Sequence, residues 1–359
     1  MSVSVVIPAY NRAHRLPAAI DSVMRQRHPD TEIIVVDDGS TDDTRLVVGK
    51  YGGAIKYVYQ RNAGVGAARN TGIRHATREL VAFLDSDDRW EDFKLGMQLA
   101  LFRERPDVGF VFSDFVIEKP DGRRVPDGAS IWAGRELDFP EMTRRELRGA
   151  AATTPAWPDG TIHYWAGPMY RQLLNELPIL TSSTIVRRAV LDTGTWFTEG
   201  VALFEDWEFF AQVARRTLVA YINVATTVNV GHEDPGRVSK CSALDRAESY
   251  QTLLDRVWLA DPAFMGVHSD RARSAQGRAL LAVAREAVLA GRRGQASDAV
   301  AAWRRLGVNE GRSWAALYRL CSQLPAGRTM LRNVLRSRTV TRLVTRASKR
   351  AYGAVNPAA

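Results

Sequence analysis

Cysteine, long apolar runs and acidic residues toward the C-terminus are what this 359-residue chain has least of. Its two cysteines, Cys241 and Cys321, stand in no CxxC or metal-like spacing. That excludes a disulfide framework or a cysteine-held zinc and leaves reduced thiols as the expectation. No stretch approaches the ~18 apolar residues of a membrane span. Met1 leads straight into Val3-Ser4-Val5-Val6-Ile7 with no basic leader before it, so the expected location is cytoplasmic. From Gly311 onward there are ten Lys or Arg and no Asp or Glu, so a whole-chain charge of +9 leaves −1 for everything before that point. The body therefore has no basic excess and no accompanying motif for nucleic acid, and none is expected as a partner. A third glycine is also missing: Gly64-Val65-Gly66 is followed by Arg69 where a dinucleotide fingerprint needs a small residue. No internal repeat is present.

What is there is an alternation of strand and helix signals. Strands are expected at Val3 to Ile7, Glu32 to Asp37, Ile55 to Tyr59, Leu80 to Leu84 and Val108 to Phe112. Helices are expected at Leu16 to Arg25, Asp42 to Lys50, Ala67 to Ala76 and Phe93 to Arg103. Such alternation specifies βαβ units, hence an α/β fold with a mostly parallel sheet flanked by helices. From 118 to 175 the periodicity dissolves around Trp132, Trp157 and Trp165, which reads as an insert or lid. Those aromatics either pack the insert's own core or stack on a sugar, packing being favoured. Order returns with Thr181 to Val186, a helix from Phe204 or Asp206 to Arg215, and short strands at Leu218 to Val224 and Thr226 to Val230. After Ser242 the pattern is helical.

Two strand ends carry the chemistry. Val35-Val36-Asp37-Asp38-Gly39-Ser40 and Ala82-Phe83-Leu84-Asp85-Ser86-Asp87-Asp88 are apolar runs that stop at carboxylates. Buried parallel strands read this way where their carboxyl ends open into a site. Either motif alone would pass for a turn or a helix cap. Together they argue for a ligand and a divalent metal, because crowded carboxylates cost stability unless a cation or donor lies between them. Asp88 is expected to cap the following turn.

With Val5-Val6-Ile7-Pro8-Ala9-Tyr10-Asn11-Arg12, Asn62 to Gly72 and Phe204-Glu205-Asp206-Trp207-Glu208, these motifs resemble, in order and spacing, family-2 glycosyltransferases of the GT-A fold. The resemblance covers about two-thirds of the chain and fades after Ser239. It implies an inverting, metal-dependent transfer of a hexose from a UDP-sugar to a hydroxyl of a glycan or lipid-linked acceptor. Pro8, Ala9 and Tyr10 would lie against the base and Asp38 would accept the uracil N3 proton. Arg69 would pair with the acidic cluster or with phosphate. Asp85-Ser86-Asp87 would be the DxD motif, with Asp87 the direct ligand of Mg²⁺ or Mn²⁺ and Asp85 on ribose or acting through water. Asp206 is the first choice of base and Glu205 the second. His232 would complete the metal shell, and Arg237 with Ser239 would hold the leaving diphosphate. The rival readings are a nucleotidyltransferase, which would want a glycine-rich loop after the first strand, and a binding protein that keeps the fold without turnover.

Three regions are expected: a GT-A domain over 1–240, with the insert at 118–175; a helical extension over 241–325; and a basic amphipathic tail over 326–359. In the tail Arg328, Arg332 and Arg336, then Arg342, Arg346 and Arg350, recur at helical spacing beside apolar Leu331, Val334, Leu335, Leu343 and Val344. The expectation favours an anionic membrane surface, with the protein peripheral on its inner face, over a helix packed on the body.

Overall fold

The computed structural model describes residues 1–147, 157, 161–231 and 241–336. The chain divides into two compact units. The first carries a sheet that has eleven strands among the described residues. These are β1 Val3–Ala9, β2 Thr31–Asp37, β3 Ile55–Tyr59, β4 Leu80–Phe83, β5 Arg89–Trp90, β6 Val108–Glu118, β7 Arg124–Val125, β8 Thr143–Glu146, β9 His163–Gly167, β10 Ile185–Arg187 and β11 Leu218–Val230. Helices α1 Leu16–Met24, α2 Thr44–Gly49, α3 Val65–His75, α4 Lys94–Glu104, α5 Gly128–Ala133, α6 Arg188–Leu191 and α7 Glu205–Arg216 belong to the same unit.

The strand order is β3-β2-β1-β4-β10-β6-β11-β9-β8, with β5 paired to β11 and β7 to β6. β3, β2, β1 and β4 run parallel, as do β6 and β11. β10 and β9 join antiparallel. The sheet is thus parallel where βαβ units build it and mixed beyond. All seven residues of β1 are buried, which is why the parallel strands read as unbroken apolar runs. α3 lies so close to β1 that a Cβ on Gly72 would stand 2.1 Å from Val6 Cγ1, an approach that glycine alone permits.

Three sequence expectations are corrected. The strand expected to end at Phe112 continues to Glu118, and the stretch read as aperiodic holds β7, α5, β8 and β9. The two strands expected after Leu218 are one strand whose register shifts between Ile222 and Ala225 and again before Thr227. Thr181 to Ser183 forms a 3-10 turn and β10 begins only at Ile185. Packing explains the tryptophans: Trp157 is buried, Trp132 meets Phe115 edge-on, and Trp165 sits against Phe139 and Tyr221.

The second unit gathers Leu174–Glu176, Ala202–Phe204 and helices α8 Ala243–Val257, α9 Pro262–Leu289, α10 Arg293–Arg305, α11 Arg312–Gln323 and α12 Gly327–Arg336. Ser242 and Asp245 form a reciprocal capping box that starts α8. Ala284, Ala296, Tyr318 and Leu331 share one core. Leu331 is fully buried there and Met330 and Leu335 pack beside it, while Arg328 and Arg332 are exposed. Over this part of the tail the apolar stripe is therefore spent on packing rather than presented to a membrane; Arg342, Arg346 and Arg350 lie outside the described residues. No described helix is long and apolar enough to cross a membrane.

Candidate active site

The parallel register sets Ala9 beside Asp37 and Val6 beside Phe83, so β1, β2 and β4 deliver their ends to one edge of the sheet. Asp38 N–H donates to Ala9 O at 2.8 Å and Leu84 N–H to Val6 O at 3.0 Å, carrying the pairing to the brink of each acidic motif. Ligands bind at this edge of an open α/β sheet.

At one end of the site lie Pro8, Ala9, Tyr10 and Asp38. Pro8 and Ala9 are buried, whereas Tyr10 is 47% exposed. Asp38 is buried and already engaged, accepting from Gln60 Nε2 at 2.6 Å, Ala63 N at 2.9 Å and Gly64 N at 2.9 Å. Its carboxylate therefore ties the β2 end to the loop that opens α3. Gly39, at φ 82°, makes that approach possible, because a Cβ there would meet Asn62 N at 2.8 Å. Sequence reading passed over Gln60, whose only signal is a position just past a strand end.

The centre is Arg69 on α3. Its guanidinium is buried and donates to Asp85 at 2.7 Å and to Glu205 at 3.0 Å, with its charge 5.2 Å from the Phe197 ring. Burial opposes that charge, but Asp85 and Glu205 outweigh it and hold the arginine above its ordinary pKa. The neighbouring Asn70 clamps the chain leading toward α7: its Nδ2 donates to Phe197 O and Glu199 while its Oδ1 accepts from Phe197 N. Gly66 belongs to the same platform, a Cβ there lying 3.1 Å from Thr198 O and 3.6 Å from Glu205 Cγ.

α7 opens with Glu205, Asp206 and Glu208 in its first turn, where the helix dipole favours negative charge. The preceding Phe204 has φ 65°, an uncommon conformation for a bulky residue and one that gathers at functional sites. Asp206 accepts from its neighbour Trp207 N at 2.7 Å. Its pKa is pushed up to about 7 by burial and by the charge of Glu205, against the pull of Arg69. Arg69 pairs directly with Glu205, whereas Asp206 bonds its own neighbour Trp207.

In the acidic loop Asp85 is committed to Arg69, Ser86 is buried and Asp87 is partly exposed. Asp88 does not act as a turn cap. It is buried and accepts from Ser182 Oγ, Asn229 Nδ2 and Val230 N, fastening the loop to the end of β11. Burial, then the charges of Asp87 and Asp85, raise its pKa well above the ordinary value. Among the described residues no group of three metal-ligating side chains converges. Asp85 and Asp87 instead offer two hard carboxylates, the donor set Mg²⁺ takes when substrate phosphates and water fill its other positions, and in that sense the residues fit a divalent ion. His232, Arg237 and Ser239 lie outside the described residues.

Residues 4–166 match the family model described as glycosyl transferase family 2. Over this segment, less than half of the chain, the sequence is similar to that family. The fold agrees: the S. aureus TarS structure of residues 1–349, solved with UDP-GlcNAc, superposes with TM-score 0.59 at 19% identity, covering 96% of this chain and 92% of that one. An uncharacterised family relative, a glycosyltransferase of Nostoc, is 42% identical over 125 residues, 34% of this chain and 39% of the relative. The Escherichia coli UDP-Glc:α-D-GlcNAc-diphosphoundecaprenol β-1,3-glucosyltransferase WfgD is 37% identical over 117 residues, 32% of this chain and 46% of the relative. The similarity to these relatives thus spans less than half the length of each. The expected GT-A fold and the resemblance to family-2 glycosyltransferases are borne out.

Proposed function

We propose that this chain is a metal-dependent, inverting glycosyltransferase that moves a hexose from a UDP-sugar to a hydroxyl of a glycan or lipid-linked acceptor. The observation that carries the reading is the division made by Arg69, which takes Asp85 from one acidic motif and Glu205 from the other. This brings the acidic loop and the α7 start to one buried cation although they are far apart in sequence. In the proposed reaction the acceptor oxygen attacks the anomeric carbon, the bond from that carbon to UDP breaks on the opposite face, and Asp206 accepts the hydroxyl proton. A carboxyl poised near pH 7 suits this duty better than Glu205, whose carboxylate is occupied by the Arg69 guanidinium. Tyr10, Pro8 and Ala9 would hold the base and Asp38 would receive the uracil N3–H, with Ser86 beside the donor. Asp87, with His232 completing the shell, would hold Mg²⁺ or Mn²⁺, which when bound neutralises the charge of the departing diphosphate.

UDP-GlcNAc in the TarS structure and UDP-Glc in the WfgD name support a UDP-sugar donor, and WfgD's diphosphoundecaprenol substrate supports a lipid-linked acceptor. The acid-free tail beyond Arg336 would meet an anionic membrane carrying such an acceptor, gaining on the order of 1 kcal/mol per basic residue. Salt-sensitive sedimentation with anionic vesicles, lost on truncation after Arg336, is the expected result; equal behaviour of both proteins removes the membrane from the proposal. The principal test is UDP release across a panel of UDP-sugars, with and without chelator. Metal-dependent release with one donor is expected. Full activity in excess chelator would sink the metal, and no release with any UDP-sugar would sink the donor class.

A further inference from the structure

Ser182 lies in the 3-10 turn that leads into β10, distant in sequence from every acidic motif and fully buried. Its hydroxyl both accepts from and donates to the acidic loop. It accepts the Asp85 N–H at 3.0 Å and donates to Asp88 Oδ2 at 2.5 Å. Its carbonyl receives Trp90 Nε1–H at 2.7 Å and the Thr227 hydroxyl at 3.3 Å. Asp88 closes the loop by donating its N–H to Asp85 O at 3.0 Å, and its other carboxylate oxygen takes Asn229 Nδ2 at 3.0 Å and Val230 N at 3.1 Å. One hydroxyl therefore holds the first backbone amide and the last side chain of the Asp85–Asp88 turn. With its one donor spent on Asp88 and its side chain fully buried, this hydroxyl is placed to orient the loop.

We propose that Ser182 is a positioning residue for the donor site: it fixes the acidic loop so that Asp85 meets Arg69 and Asp87 is presented for the metal and diphosphate. This rests on the proposed reading of Asp87. Ser183 supplies an internal control, being equally buried in the same turn while its hydroxyl donates only to Leu180 O at 2.8 Å.

The experiment compares full-length wild type, Ser182→Ala, Ser182→Thr and Ser183→Ala by melting temperature, amide hydrogen exchange of residues 85–88, and calorimetric binding of UDP in the presence of Mn²⁺. Loss of a group that orients metal-binding carboxylates costs about 10- to 100-fold in affinity, so Ser182→Ala should weaken Mn²⁺-dependent UDP binding at least tenfold. It should also speed exchange across 85–88. Ser183→Ala should change neither by more than twofold at a comparable melting temperature, and Ser182→Thr, which keeps the hydroxyl, should recover most of the affinity. Equal weakening in Ser182→Ala and Ser183→Ala, or unchanged exchange and affinity in Ser182→Ala, overturns the positioning role. Wild type that binds no UDP with Mn²⁺ overturns the donor-site reading itself, and the positioning role with it.

Discussion

The two acidic motifs of the site offer the same chemistry to Arg69 and leave it in different conditions. At the β4 end, Asp85 is bound by the arginine and Asp87 remains partly exposed in a loop that Asp88 fastens from beneath. At the α7 start, Glu205 is bound and Asp206 stays beside it, desolvated, with its pKa lifted to about 7. One arginine thus takes one carboxylate from each pair, and environment separates the roles proposed for the other two. An accessible carboxylate suits a cation ligand, whereas a desolvated one that holds a proton near neutrality suits proton transfer.

The comparison breaks most visibly at Asp87. Asp87→Ala should lower turnover by about 10³ while melting stays near wild type, because the ligand removed serves charge neutralisation of the leaving group. Turnover within tenfold of wild type in saturating Mn²⁺ would move the metal elsewhere. Next is Asp206→Asn, which keeps shape without accepting a proton: transfer should fall by roughly 10² while UDP-sugar affinity stays within a few-fold. A parallel loss of affinity would put Asp206 on the donor instead. Arg69→Met tests the shared partner, since it strands two carboxylates in a largely buried place and should cost on the order of 3 kcal/mol in urea denaturation. Restoring stability by adding Glu205→Gln would show that the cost is the orphaned charge.

How much of this was readable depends on the kind of signal. β2 and β4 are largely buried and run abruptly into Asp, so strand, edge and motif coincide in one run of residues. β8, by contrast, is Thr143–Glu146 with all four residues exposed, a strand only because β9 pairs with it, and no alternation marks it. The Arg69–Glu205 bond joins residues 136 apart, and only the assembled sheet brings them together. The role of Asp88 was misjudged for the same reason: its partners Ser182 and Asn229 lie 94 and 141 residues away, and a local cap was the nearest reading. The α12 stripe was ambiguous because a core and a membrane select the same apolar face.

The smallest effect is also the sharpest. Glu205→Gln removes the negative neighbour that helps lift Asp206, so Asp206 should ionise at lower pH while turnover changes by less than about tenfold. The central claim is that Asp206, not Glu205, takes the proton, and the pH dependence of kcat/KM tests it most directly. A base works only when deprotonated, so activity should fall as pH drops below about 7 in wild type. That limb should move to lower pH in Glu205→Gln and vanish from the residual activity of Asp206→Asn. A limb that stays at the same pH in Asp206→Asn, or that vanishes in Glu205→Gln, would contradict the account.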